Sequence, residues 1–302
     1  MESTFRTPDT DTVVVGVDGS ETARAAAMWA AGEAVLRDRP LHIVYGADTD
    51  GRALYLSAET IERVRGNGRQ LLDDAAKAVT DEYPGLHVST EFSRADAARS
   101  LHQAAGLHGT IVVGNRGLGG FNSLMLGSVG LDVAAAATSP VIVVRGIDGA
   151  ESTGTVLAAV RDGHDLVYAR YAAREAELRK GSLRLLHVWN LLESVGEVVS
   201  MLDGVDEIVG AHTDALRAVT DAVCAEFPDL EVRAEAEKSV SVAGVLVEAS
   251  RHADLLVMGG RRVPRALGIA RSLGRATHSV LHHAHCPVLL IPRTGSDPRS
   301  RS

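Results

Sequence analysis

The feature that most constrains the fold is an internal repeat that divides the chain of 302 residues into two halves. TVVVGV at 12–17 recurs as TVLAAV at 155–160, and SPVIVV at 139–144 recurs as CPVLLI at 286–291. The offset drifts only from 143 residues (Thr12 to Thr155) to 147 residues (Pro140 to Pro287). This near-constant spacing predicts two structural units placed end to end.

Each half alternates short apolar runs with longer segments that have helical spacing. The first run is followed by an alanine-rich segment at 19–38, in which Ser20 is the expected helix N-cap. Continuous apolar runs are typical of parallel strands, because helices cover such strands on both faces. The sequence therefore predicts an α/β fold with two tandem, doubly wound, parallel five-stranded sheets.

The polar segments between these runs predict the domain boundaries. The first domain is expected at 12–145 and the second at 155–293. A polar, glycine-rich linker is expected at 146–154, and polar tails are expected at 1–11 and 294–302.

Composition excludes several classes of partner. The net charge of −8 and the pI near 5.8 give no positive field for nucleic acid or an anionic membrane. No apolar run approaches the roughly 18 residues of a membrane span, and no signal peptide is visible. The only cysteines, Cys224 and Cys286, do not form a disulfide framework, so a reducing, cytoplasmic setting is expected.

The stretch VVGNRGLGGFNSLMLGSVG at 112–130 carries the clearest chemistry. An apolar run ends at Gly114, a glycine-rich loop follows, and Gly127-Ser128 opens an alanine-rich helix. Glycine permits positive φ and close approach of backbone N–H groups, while a helix start offers unpaired N–H groups and a positive dipole end. The pattern predicts a phosphate-binding loop. No Lys-Ser/Thr pair follows the glycines, so it is not a Walker A loop, and its place after the fourth strand disfavours a dinucleotide fingerprint.

These motifs resemble those of the universal stress protein family, in its tandem-domain, ATP-binding form. The resemblance covers about residues 12–292 and rests on VVGVDGS, on the two closing strands, and on the G-x2-G-x9-G-S spacing. That spacing is formed by Gly114, Gly117, Gly127 and Ser128. It implies strand order 3-2-1-4-5 in each half, as in adenine nucleotide alpha hydrolase-like folds, and it implies ATP as the ligand.

In that strand order a crevice opens where the carboxyl ends of strands 1 and 4 meet. ATP is expected there, with its ribose and base toward Asp18 and the end of strand 2, and its phosphates at the glycine loop. A carboxylate facing a polyphosphate needs a partner, so Mg²⁺ or a ribose hydroxyl is expected at Asp18. The predicted nucleotide-binding residues are Asp18, Gly46, Val113, Gly114, Arg116, Gly117, Gly127, Ser128, Val129 and Gly130.

The second half departs from the pattern at each of these points. Arg161 replaces Asp18, Arg262 replaces Gly117, and Gly274-Arg275 replaces Gly127-Ser128. We therefore expect one nucleotide per chain, in the first half. The arginine-rich loop at 259–275 fits another anion site or a partner surface, but a solvated basic loop is the simpler interpretation.

The segment HSVLHHAHC at 278–286 raises the question of a metal. His278 and His282 are four residues apart and Cys286 is near, which is a ligand spacing that zinc uses. Histidines are also favoured at a helix C-terminus by the dipole, and that interpretation is preferred. No Ser-His-Asp or Cys-His pairing is recognisable in the sequence.

Together these features predict a nucleotide-dependent regulatory protein of the stress response that is not a dedicated enzyme. An unidentified protein partner is expected, and so is a homodimer, because the closing strands of both halves are candidate sheet edges. The alternatives are a weak ATPase or autophosphorylating enzyme, in which Ser128 accepts phosphate, and a cAMP-binding protein.

Overall fold

The computed structural model describes residues 12–51, 55, 57–115, 126–145, 152–190, 204–260 and 273–292. The chain divides into two compact units, which meet in sequence between Val144 and Arg145. The predicted linker and tails fall largely outside the described residues, so their boundaries stay predictions.

The first unit has five strands in the order β3-β2-β1-β4-β5, and every adjacent pair is parallel. Helices connect each strand to the next along the chain. The elements are β1 (Val13–Gly16), α1 (Glu21–Leu36), β2 (Leu41–Gly46), α2 (Ala58–Glu82), β3 (Val88–Ser93), α3 (Ala97–Ala105), β4 (Thr110–Gly114), α4 (Ser128–Ala136) and β5 (Val141–Val144).

The second unit repeats this arrangement with strand order β8-β7-β6-β9-β10. The predicted α/β class, the tandem units and the order 3-2-1-4-5 are therefore confirmed. The elements are β6 (Thr155–Ala159), α5 (Leu166–Leu178), β7 (Ser182–Trp189), α6 (Gly204–Glu226), β8 (Val232–Lys238), α7 (Val242–Ala249), β9 (Leu255–Gly260), α8 (Arg275–His283) and β10 (Val288–Pro292).

Helix α1 shows why the strands are so fully buried. Ala26, Ala30 and Ala34, spaced one turn apart, are completely buried, and their small side chains let the helix lie close to the sheet. The predicted N-cap is confirmed, since the Ser20 hydroxyl accepts a hydrogen bond of 3.1 Å from the Ala23 N–H. In the part of the chain that the structure describes, no helix is both long and apolar enough to span a bilayer.

Helix α2 continues without a break through Gly66 and Gly68, although two glycines so close together weaken a helix. The Tyr45 and Phe92 rings stack at 5.8 Å, and a Cβ on Gly68 would lie 2.7 Å from Phe92 Cε2. Gly68 is therefore a packing position against the two rings. Gly66 has no neighbouring atom within 4 Å of its Cβ position.

This difference predicts opposite effects for two matched substitutions. Gly66→Ala should raise the free energy of unfolding by about 0.5–1 kcal/mol, because alanine restricts the unfolded chain, has the higher helix propensity and meets no neighbouring atom here. Gly68→Ala should lower it by about 1 kcal/mol, because overpacking against the rings outweighs the gain in helix propensity. Urea unfolding of both variants measures the effects, and equal stabilisation by both would contradict the assigned packing role of Gly68.

Candidate functional site

The candidate site lies where β1 and β4 end side by side. The two strands pair in parallel, with Val13 opposite Thr110 and Val15 opposite Val112. Their carboxyl ends therefore meet at one edge of the sheet. Asp18 follows the end of β1, and Gly114 is the last residue of β4. The strand order brings these two predicted residues to the same crevice.

Asp18 organises the turn that leads into α1. Its Oδ1 accepts hydrogen bonds from the Ser20 backbone N–H at 3.0 Å and from the Ser20 hydroxyl at 2.7 Å. Between them, Gly19 has a φ of +89°, which is a conformation that favours glycine. Asp18 is partly exposed, so the turn holds its carboxyl group at the crevice in one orientation. Sequence reasoning did not assign Ser20 and Gly19 to the site, although an Asp-Gly pair before a helix is a recognisable turn signal.

Gly114 is needed for packing rather than for an unusual backbone angle. A Cβ at this position would lie 2.8 Å from the Thr22 carbonyl oxygen, so glycine lets the first turn of α1 rest against the end of β4. The sequence analysis also invoked positive φ for the glycines of this motif. Among those described, Gly114, Gly127 and Gly130 all lack it, which corrects that part of the argument.

Gly46, at the end of β2, shows the same kind of close approach. A Cβ there would lie 2.5 Å from Ala97 Cα at the start of α3. The Val44 carbonyl accepts from the Val17 N–H at 3.0 Å, and residues two apart face the same neighbour in a parallel ladder. The backbone N–H and carbonyl groups of Gly46 therefore point toward β1, the strand after which Asp18 follows.

The loop between β4 and α4 is closed at its base by the backbone. The Gly127 N–H donates to the Asn115 carbonyl at 2.9 Å. Gly127 is the N-cap of α4, and no side chain caps this helix. Gly127 is among the predicted phosphate donors, and in this structure its N–H bonds to the Asn115 carbonyl, so its assignment to the phosphate site stays a prediction. Asn115 was missed because its contribution is a backbone carbonyl, for which the sequence holds no signal.

The first turn of α4 presents the remaining predicted donors. Ser128 is the first helical residue and not the N-cap, so its hydroxyl makes no capping bond. Ser128 and Val129 are exposed, whereas Gly130 is buried because the Leu126 side chain packs beneath it. The N–H groups of this turn lack helical acceptors by geometry and carry the positive end of the helix dipole.

The remaining predicted site residues are Val113, which the structure describes, and two residues of the glycine loop, which it does not. Val113 is buried in the ladder opposite Val143, so it can offer only backbone atoms. Arg116 and Gly117 lie outside the described residues, as do Gly119 and Gly120. Their assignment to the phosphate site stays a prediction.

The corresponding edge of the second unit is closed by an ion pair. Arg161 donates to Asp165 through Nε and Nη2, each at 2.8 Å, and its backbone N–H donates to the same carboxylate at 3.0 Å. The hydrogen bond to Asp165 raises the pKa of Arg161. The positive charge at the position equivalent to Asp18 is therefore neutralised within the unit.

An aromatic ring also fills space at this edge. When Trp29-Ala30-Ala31 is aligned with Tyr171-Ala172-Ala173, Tyr168 falls at the repeat position of Ala26. Its buried ring lies where a Cβ on Gly259 would have to be. The substituted positions predict that arginines fill the site in the second unit. The structure assigns the filling to Tyr168 and the Arg161–Asp165 pair, while Arg261, Arg262, Arg265 and Arg271 lie outside the described residues.

Comparison with known proteins extends the sequence resemblance over the whole repeat. The model of the universal stress protein family matches residues 10–145 and 153–292. A universal stress protein of Mycolicibacterium smegmatis is 31% identical over 297 residues, covering 92% of this chain and 96% of the relative. One from Mycobacterium tuberculosis is 27% identical over 300 residues, covering 95% and 98%. A crystal structure of a universal stress protein from Archaeoglobus fulgidus shares the fold, with a TM-score of 0.68, 18% identity, and coverage of 96% and 98%.

Proposed function

The chain belongs to the universal stress protein family, and from that premise we propose that it is a nucleotide-dependent regulatory protein that binds one ATP in its first unit. The observation that carries the proposal is the start of α4. Ser128 and Val129 of its first turn are exposed, no side chain of the described residues caps it, and its N-cap N–H donates to the Asn115 carbonyl. Such a helix start favours a phosphate group.

Asp18 supplies the second half of the proposed site. The Ser20 hydrogen bonds to Oδ1 fix the carboxyl group beside the end of β4. A carboxylate suits Mg²⁺, which prefers oxygen ligands, and equally suits the hydroxyls of a ribose. The described residues thus fit an adenine nucleotide with its sugar or a metal ion at Asp18 and its phosphates at α4.

The second unit supports a stoichiometry of one. Its equivalent edge contains the Tyr168 ring and the Arg161–Asp165 pair, which occupy space and place a guanidinium at the repeat position of Asp18. A phosphate there would also have to displace a paired guanidinium from its carboxylate, which is costly.

Titration of Mg-ATP into the full chain tests the proposal, and one site per chain is expected. Asp18→Asn should keep the turn, because an amide oxygen still accepts from Ser20, but it removes the charge. We expect this variant to lose most of the Mg²⁺ dependence of ATP affinity if Asp18 holds the metal, or several-fold of the affinity itself if it holds the ribose.

The matched control is Asp162→Asn in the second unit. Asp162 Oδ1 accepts from the His164 N–H at 2.9 Å, so it organises a comparable turn. ATP affinity should not change in this variant. Two ATP molecules per chain, none at all, or the same loss in both variants would overturn the proposal.

A second candidate function is favoured by the exposed Ser128 hydroxyl at the proposed phosphate site. An autophosphorylating enzyme would leave phosphoserine at 128, and a weak ATPase would accumulate ADP beyond one equivalent. Mass spectrometry after incubation with Mg-ATP separates both from simple binding. Competition of cAMP against ATP tests the cyclic-nucleotide alternative in the same site.

Regulation would follow from the position of the site. ATP that contacts both Asp18 and the start of α4 favours conformations in which these two groups lie closer together. Binding therefore shifts the population of conformers, and a protein partner would recognise the favoured conformer. A homodimer, a protein partner and a cytoplasmic location belong to this proposal as predictions from the sequence.

A further inference from the structure

Three polar side chains meet on one face of the first unit's sheet, away from the nucleotide site. His42 on β2 lies directly opposite Ser89 on β3, and Glu91 is the next residue on that face of β3. His42 Nδ1 lies 2.8 Å from the Ser89 hydroxyl oxygen, and His42 Nε2 lies 3.1 Å from Glu91 Oε2. The sequence did not reveal this group, because Ser89 and Glu91 follow His42 by 47 and 49 residues.

The two hydrogen bonds of the imidazole determine which atom donates in each of them. An ionised carboxylate only accepts hydrogen bonds, so a neutral His42 ring carries its proton on Nε2 and donates it to Glu91. Nδ1 is then an acceptor, and the Ser89 hydroxyl donates to it. This is the order of a nucleophile, a general base and a group that orients the base.

The second unit shows what the same strand positions do in a structural role. When LHIV is aligned with LRLL and HVSTE with EVRAE, Arg184 takes the position of His42 and Glu235 that of Glu91. Arg184 Nη2 donates to Glu235 Oε2 at 2.6 Å, which is an ion pair across the two strands. Such a pair needs only two charged groups. The first unit instead holds a base between the repeated carboxylate and the hydroxyl of Ser89.

The site is open to a small substrate. The exposed fractions of the His42 and Glu91 side chains are 21% and 44%, and Ser89 is partly exposed. Among the described strands, none pairs with the outer edge of β3. The His87 carbonyl accepts from a β2 N–H, and alternate residues of a parallel strand point to opposite sides, so the Thr90 N–H points to the outer edge. As the amide after the nucleophile, it can donate to an oxyanion formed at Ser89.

We propose that Ser89, His42 and Glu91 form an acyl-transfer site that hydrolyses small, activated esters. Ser89 Oγ attacks the ester carbonyl carbon, and its proton passes to His42 Nδ1. The alcohol leaves with that proton, and the acyl group stays on Ser89. Water then attacks the acyl group and gives a proton to Nδ1, which returns it to Ser89 Oγ as the carboxylic acid leaves. The net reaction converts ester and water into acid and alcohol.

This site is separate from the proposed nucleotide site. His42 precedes Gly46 by four residues on β2, and a strand rises about 3.3 Å per residue, so the two positions are about 13 Å apart. Neither ATP nor the glycine loop takes part in the acyl transfer. Failure of this proposal and failure of ATP binding are therefore distinct results.

An alkyl fluorophosphonate probe, which phosphonylates activated serines with loss of fluoride, tests the nucleophile in the full-length protein without nucleotide. Mass spectrometry should find one phosphonyl group, on Ser89, and Ser89→Ala should carry none. Hydrolysis of p-nitrophenyl acetate should show the same loss. The matched control is Ser93→Ala, because Ser93 lies on the same face of β3 but its hydroxyl is 2.8 Å from that of Ser100 instead of an imidazole. Labelling should be unchanged in this control.

His42→Arg separates catalysis from packing. It gives the first unit the type of ion pair that Arg184 and Glu235 form, so the midpoint of urea unfolding should stay close to that of the wild type. It removes the base, so the rate of labelling should fall by at least about 100-fold. Absence of label from wild-type Ser89, equal labelling of Ser93, or labelling of His42→Arg at the wild-type rate would each overturn the proposal.

Discussion

Replacing Val129 with aspartate is expected to weaken ATP binding by at least about tenfold while the fold stays intact. Val129 is the second residue of α4, and 43% of it is exposed. A carboxylate at this point would occupy the positive potential that the proposed site offers to phosphate, and it would repel the ligand. Aspartate in a first turn stabilises a helix by about 0.3–1 kcal/mol, so lost binding could not be attributed to unfolding. Calorimetric titration of Mg-ATP measures the effect.

The repeat supplies a matched control for this variant. Ala276 is the second residue of α8 and occupies the same repeat position in the second unit. Ala276→Asp introduces the same charge at the same place in an equivalent helix, and it should leave ATP affinity unchanged. Thermal unfolding of both variants should match or exceed that of the wild type. If Val129→Asp binds ATP as tightly as the wild type, the start of α4 is not the phosphate site.

The fold was predictable because the repeat and the apolar runs depend only on local pattern. Strands β1 (Val13–Gly16) and β5 (Val141–Val144) lie within the apolar runs at 12–17 and 139–144, and Ser20 caps α1 as predicted. Both follow from the order of apolar and polar residues along a few turns or strands. The strand order required the resemblance to a family, because no local pattern distinguishes neighbours in a parallel sheet.

The reasons for individual glycines were less predictable. Gly46, Gly68 and Gly114 are all explained by close approach of a distant element, namely α3, the Tyr45–Phe92 pair and α1. A sequence shows a glycine but not the atom that would clash with its Cβ. The sequence therefore pointed to positive φ for the glycines of the phosphate loop, which is a local explanation.

The filling of the equivalent site in the second unit by Tyr168 was visible in the alignment of the two halves. Tyr168 replaces Ala26 in a helix whose sheet-facing positions are otherwise alanines, and a ring in such a place must occupy space that the first half leaves open. Asp165 could not have been paired with Arg161 from the sequence alone, because aspartate near a helix start usually signals a cap. Here its side chain turns toward Arg161 instead.

The Arg161–Asp165 pair leads to the second large effect that we expect. Only 2% of the Asp165 side chain is exposed, compared with 49% of the Arg161 side chain. Arg161→Met keeps the aliphatic bulk and the backbone N–H that donates to Asp165, but it removes the guanidinium that pairs with this buried carboxylate. Removing one partner of a buried pair is strongly destabilising, so the free energy of unfolding should fall by about 2–4 kcal/mol. Denaturant unfolding measures this change.

Arg233→Met is the surface control, because Arg233 and its partner Glu231 are mostly exposed and that pair should contribute less than about 1 kcal/mol.

The double variant Arg161→Met/Asp165→Leu separates a buried-charge penalty from loss of packing. If the loss of the guanidinium charge beside Asp165 causes the instability, removing the carboxylate should restore at least half of the lost free energy, and the two changes should not be additive. An additive double variant would show that Arg161 stabilises the unit by packing alone.

The number of ATP molecules per chain should stay at one in all of these variants, because the Tyr168 ring still occupies the edge of β9. A second ATP in the double variant would mean that the ion pair alone excludes nucleotide from the second unit.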